Sequence, residues 1–151
     1  MILEKGIYAL ADGVFMCLDR GLTLVGESEF SRNNARFFKE TEDAFIVAQS
    51  NNLSGSSMTV HLYGYDGKII CELKTDSAVI DADFRDSNLY VLYKDKLAVY
   101  EVSSGEIGEP ASLPLDMQFK AIRTDNYGRY ILIGAKNAKR GSVDSLLAQN
   151  S

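Results

Sequence analysis

Apolar residues in this chain come in short blocks bounded by Gly, Asp, Asn or Ser. Four blocks are apolar without alternation: IYALA from Ile7, FIVAQ from Phe45, LYVLY from Leu89 and YILIGA from Tyr130. Their starts fall about 40 residues apart, the mark of an internal repeat. Side chains alternate between the two sides of a sheet, so a short block without alternation predicts a strand buried on both faces. Around each block the same order recurs. A mixed block precedes it, as in ARFFKE from Ala35, AVIDADF from Ala78 and FKAIRTD from Phe119. A second apolar block follows and runs into a glycine turn, as in FMCLDRGL, HLYGYDGK and VYEVSSGE. A last block closes the unit, as in LTLVGE, IICELKT and the poorer IGEPASL. β-branched and aromatic runs separated by turn residues give an all-β reading.

Each unit predicts four antiparallel strands, a to d in chain order. Aligning Gly21, Gly67 and Gly105 makes Met16, Leu62 and Tyr100 equivalent. At Asp66-Gly67 the hairpin calls for a positive φ, which Gly adopts without a Cβ clash. Four antiparallel strands per repeat is the pattern of a β-propeller blade. One blade cannot cover its own two faces, so blades stack around an axis. A β-sandwich gives no reason for a four-strand period. The units read as strands b to d in residues 1–29, a to d in 30–76, a to d in 77–115, and a and b in 116–135, with a polar tail at 136–151. The expectation is a single partial propeller domain over 1–151, of about three four-stranded blades. Propellers close with about 4–8 blades, and open sheet edges invite aggregation. The chain is therefore expected to be a fragment of a larger ring, or to complete its ring with another chain. Closure by homodimerisation is the less favoured alternative.

Composition narrows the class. The chain has 151 residues, 46% hydrophobic and 25% charged, which suits one globular domain. A net charge of −5 with scattered Lys and Arg argues against nucleic acid, which selects a basic stripe. No apolar run approaches the roughly 18 residues of a membrane helix. The first residues, MILEKGIYALADG, lack the basic leader of a signal peptide. Cys17 and Cys71 lie inside apolar blocks, as buried free thiols do.

The segment YDGKIICELKT, residues 65–75, is similar to the turn-and-strand part of quinoprotein-type repeats. Over residues 5–135 the units resemble the WD40-like and quinoprotein-like β-propeller superfamily. In quinoprotein-type repeats a tryptophan follows the Gly-Lys-apolar-apolar run and docks between blades. Cys71 stands at that position here, and the chain has no Trp. The stretches YALADGVFMCLD, VIDADFRDSNLYVLYKDKLAVYEVSSGE and TDNYGRYILIGA are similar to later blades of uncharacterised bacterial membrane-anchored propeller proteins. That second resemblance implies an extracytoplasmic domain and brings no known activity with it.

Candidate chemistry is sparse. His61 is the single histidine and aligns with Phe15 and Val99 in strand c, which makes it a packed residue. No Ser-His-Asp or Cys-His arrangement can be assembled around it. One His and two separated Cys make no zinc set. The segment NLSGSS has small residues but neither the Lys nor the helix of a phosphate loop. Asp81, Asp83 and Asp86 offer oxygens to Ca²⁺ but lack the Asp-x-Asp-x-Asp-Gly loop, so a solvated strand edge is the plainer reading. The sequence thus implies no cofactor.

One feature separates the units. The b–c connection is long in the second, QSNNLSGSSM at 49–58, and is read as AKNAKRG at 135–141 in the last. In a propeller the b–c and d–a loops share one face, and long loops on a rigid scaffold tend to carry function. Asn51, Asn52, Ser54, Ser56, Lys136, Lys139 and Arg140 are the candidate partner-binding residues. A tolerated insertion and a solvated basic loop are the plainer readings. The sequence favours a non-catalytic module that engages a protein or polymer partner, or further blades, through its loop faces. The alternative is the structural part of a propeller enzyme whose active site lies in other blades.

Overall fold

A computed structural model describes residues 2–3, 6–11, 13–29 and 35–148. They form four consecutive antiparallel sheets, as the repeat predicts. The first runs β1 (Ile2–Leu3), β2 (Gly6–Ala11), β3 (Val14–Leu18) and β4 (Leu24–Glu29) in that order. The second runs β5 (Ala35–Glu40), β6 (Phe45–Ser50), β7 (Met58–Tyr63) and β8 (Ile69–Thr75). In the third, β9 (Asp81–Arg85), β10 (Asn88–Leu92) and β11 (Lys96–Ser103) are followed by an outer strand in two pieces. These are β12 (Glu106–Ile107) and β13 (Ala111–Pro114), and both pair with β11. Pro110 lies in the gap between them, where a residue without an N–H cannot continue a ladder. The fourth sheet is β14 (Ala121–Thr124), β15 (Arg129–Ile133) and β16 (Ala138–Ser142), followed by α1 (Val143–Leu147).

The sheets pack face to face in chain order, and each seam is a separate apolar cluster. Tyr8, Phe15 and Cys17 of the first sheet meet Phe45, Val47 and Tyr63 of the second. Ring centroids there are 4.3 Å apart for Tyr8–Phe45 and 4.8 Å for Phe15–Tyr63. The next seam sets Ile46, Ala48 and Leu62 against Leu89, Val91 and Ala98. Cys71 is buried in this cluster, at the place where the resemblance expects a tryptophan. The third seam joins Tyr90, Leu92 and Leu97 to Ile122, Tyr130 and Leu132, and Val143 and Leu146 of α1 close its outer end. Successive residues of β6 thus serve different seams, so this strand is apolar without alternation and buried throughout.

The innermost strands converge. Lys39 Nζ on β5 donates to Ala82 O on β9 (2.6 Å) and to Ile122 O on β14 (3.0 Å), and it pairs with Asp81 at 3.2 Å. Asp81 Oδ2 also accepts from Ile122 N (2.9 Å) and from the Arg123 guanidinium. Asp83 Oδ2 accepts from Thr124 N at 2.9 Å, and its Oδ1 from Phe84 N at 3.1 Å. Asp81 and Asp83 are therefore not a solvated strand edge, whereas Asp86 in the following turn is exposed. Asp81 and Asp83 satisfy the free edge of the next sheet's innermost strand, and Lys39 balances their charge. Burial pushes the Asp83 pKa up against the pull of Lys39 and its hydrogen bonds, and it holds the Lys39 pKa down.

Three sequence readings change. Residues 136–151 are not simply a polar tail, because Ala138–Ser142 pair along β15 and α1 follows. β16 lacks apolar alternation because its own residues are exposed or half-buried, and its strand rests on backbone pairing. Ile2–Leu3 add a strand before the expected start, too short to show a pattern. The c strands also align one residue differently. Cys17, Leu62 and Val99 all face the following sheet, whereas Met16 and Tyr100 do not. Cys17, Leu62 and Val99 stand four, five and six residues before Gly21, Gly67 and Gly105, so unequal turn lengths shift the glycines relative to the strands. Gly67 does take φ +78°, but in the first turn Leu22, not Gly21, holds the positive φ. Asp12 of the first hairpin lies outside the described residues.

Candidate functional site

The connection at 51–57 is a folded loop built on its own polar groups. Asn51 N donates to Ser57 O at 2.8 Å and closes the loop. Asn52 Oδ1 accepts from Ser54 Oγ (3.0 Å) and from Ser56 N (3.1 Å), and its Nδ2 donates to Ser56 Oγ (3.0 Å). Asn51 Nδ2 donates to Ser57 Oγ, while its Oδ1 accepts from Thr59 Oγ1. The structure thus brings Asn51, Asn52, Ser54 and Ser56 together, but largely to hold one another. Leu53 stands at the tip, 99% exposed.

Ser56 also reaches the wall of a cleft of about 610 Å³. Four connections build it: the loop at 51–57, residues 76–80 between β8 and β9, the turn between β10 and β11, and residues 115–118 between β13 and β14. Its walls carry the exposed carboxylates Asp76, Asp95 and Asp116 and one basic side chain, Lys94. Met117 adds an apolar patch, 42% exposed. Among the described residues no group of three or more His, Cys, Asp or Glu is placed to hold a metal ion. The three aspartates come from three different connections.

The basic candidates divide. Lys136 sits in the exposed turn after β15, where Asn137 donates to Met117 at the cleft rim. Lys139 and Arg140 lie on β16, not in a loop, and point to opposite sides of the fourth sheet: Lys139 pairs with Leu132, and Arg140 with Ile131.

A second cavity of about 320 Å³ opens at the other end of the innermost strands, lined by Lys39, Glu42, Asp83, Arg85 and Arg123 among others. Its charges are mutually engaged, Arg85 with Glu42 and Lys39 with the aspartates, so it is a structural junction. His61 packs beside Tyr63 with centroids 6.1 Å apart, and its Nδ1 lies 3.5 Å from Glu72 Oε2. Cys17 and Cys71 are free and buried, and Cys17 Sγ donates to Tyr65 O at 3.0 Å. Burial pushes the Cys71 pKa to about 11.

No protein-family model matches the chain, and no curated protein matches it in sequence. Solved structures do match in shape. The computationally designed Ika4 protein superposes with a TM-score of 0.63 at 12% identity, over 93% of this chain and 87% of that one. The β-propeller domain of Myceliophteria thermophila Cps50 (Swd1) gives 0.64 at 10% identity, over 92% of this chain and 50% of that one. The Neurospora crassa Pan2 WD40 domain gives 0.54 at 15% identity, over 93% and 47%. The fold is that of a β-propeller. This chain spans half or less of the last two propellers and most of Ika4. At such identities the likeness concerns the fold alone.

Within this propeller the cleft lies on the face that carries the b–c and d–a connections. Sequence reading found that face through loop length and overlooked its carboxylates. A signal was present: Asp76 and Asp116 each stand three residues before a buried core residue, Val79 and Phe119, at matching corners of two blades.

Proposed function

We propose that the chain is a non-catalytic β-propeller module that binds an extended, basic segment of a protein partner along the cleft. The observation that carries this reading is the cleft itself, where three exposed aspartates from three connections face one lysine. A Lys- or Arg-rich segment laid along it would pair its charges at the rim and rest apolar side chains on Met117. Exposed pairs of this kind each contribute about 0.2–1 kcal/mol and speed encounter. Affinity would come from their number.

The test is titration of the chain with labelled Lys/Arg-rich and Asp/Glu-rich peptides, read by fluorescence anisotropy at low and high salt. The expected result is salt-sensitive binding of the basic peptides. Replacing Asp76, Asp95 and Asp116 together by Asn should weaken it about tenfold or more. Unchanged binding in that variant would refute the cleft. Replacing residues 51–57 by Asp-Gly asks whether the long loop and Leu53 contribute.

A further inference from the structure

Among the described residues the two end sheets each leave one side uncovered, and the two sides differ in a way that fits them to each other. On the first sheet, Tyr8, Phe15 and Cys17 face the second sheet. The opposite side presents Val14, Met16, Leu18 and Leu24, bordered by Glu27 and Glu29, which pair across the ladder with Met16 and Val14. Leu24 is 48% exposed, and both glutamates are exposed. On the fourth sheet, Tyr130 and Leu132 face the third. Its opposite side presents Ile131 and Ile133, 38% and 41% exposed, bordered by Arg123, Arg129 and Arg140. Arg123 and Arg129 already touch Asp81 and Asp125, but a guanidinium has five donors and theirs remain about half exposed, at 56% and 48%. Among the described residues no core cluster joins the fourth sheet to the first.

Each internal seam sets the forward side of one sheet on the backward side of the next. The fourth sheet's open side is a forward one, apolar with a basic border. The first sheet's open side is a backward one, apolar with an acidic border. We propose that a second copy of this chain occupies both: each copy's fourth sheet packs on the other's first sheet, and a two-fold axis along the ring centre closes eight sheets. Eight is within the range in which propellers close, and a two-fold ring leaves neither open side exposed. This surface is separate from the cleft and does not depend on it.

Sedimentation equilibrium of the full chain tests the proposal. The expected species is a dimer at twice the 16.7 kDa chain mass. Arg140→Glu alone, and Glu27→Lys with Glu29→Lys, should each weaken association about 100-fold or more, because like charges then meet at both seams. Mixing the two variants should restore a dimer, since each seam again joins opposite charges. That rescue separates a lost interface from a lost fold. A chain monomeric at all concentrations, with its open sides left to another protein or to further sheets, overturns the proposal. So does a dimer indifferent to these reversals.

Discussion

Strands β6 and β15 hold the same place in their sheets, and both are rich in Ile, Val, Leu and aromatics. β6 is buried at every position, with Phe45 and Val47 facing one sheet and Ile46 and Ala48 another. β15 alternates, its Tyr130 and Leu132 buried and its Ile131 and Ile133 open to solvent. A strand's apolar pattern states what it is prepared to cover, and its neighbours decide what is covered. Ile131 and Ile133 thus give β15 more apolar surface than the described sheets cover.

Substitutions sharpen this contrast. The largest effect should come from the seams: Phe45→Ala is expected to cost about 3–5 kcal/mol, read as the midpoint of urea unfolding. Ile131→Ala in dilute solution should cost under about 1 kcal/mol, although a buried Ile→Ala costs about 2–5. A large loss at Ile131 that grows with protein concentration would mean that its side is covered by association. Lys39→Ala should cost about 3–5 kcal/mol, since it strips the counter-charge from two nearly buried carboxylates. A cost below about 1 kcal/mol would show that the innermost strands do not depend on that junction.

Close approach gives a smaller contrast. A Cβ on Gly26 would meet the Asp66 carbonyl oxygen at 2.1 Å, where the turn of the second sheet rests on the first. Gly26→Ala should cost about 1–3 kcal/mol through overpacking. Gly128, at φ +66° with open space around it, should cost Gly→Ala only the left-handed strain of about 1–2 kcal/mol. A cost below about 1 kcal/mol for Gly26→Ala would argue against tight docking there.

The smallest expected effect is that of pH. Burial lowers the pKa of His61 from its ordinary value, against the pull of Glu72. The unfolded chain then takes up the proton more readily, so the stability His61 contributes is fully present above about pH 6.5 and is lost as the pH falls through its folded value. One proton changes stability by at most about 1.4 kcal/mol per pH unit. His61→Gln should flatten the unfolding midpoint between pH 7 and 5; an unchanged slope would assign the loss to other groups.

The four-strand period and the face bearing the long loop were legible because hydrophobic blocks and turn residues act locally. The register of the c strands was not. An extra residue before a turn changes which side a strand shows without changing its composition, as Cys17 and Leu62 demonstrate. β16 was missed because AKRGS owes its strand to backbone pairing with β15. The cleft's aspartates lie in separate connections, and only the stacking of blades brings them to one wall.

Sequence alone determined that this chain is all-β, built from four-stranded units and prepared to bury its second strands on both sides. These are short-range consequences of side-chain alternation and turn chemistry. Only the tertiary structure decided that Lys39 ties three innermost strands together, that Asp81 and Asp83 hold a neighbouring sheet edge, and that the two open sides carry opposite charge. Such outcomes depend on which sheet stands beside which, and residues more than 40 positions apart meet only once the blades have stacked.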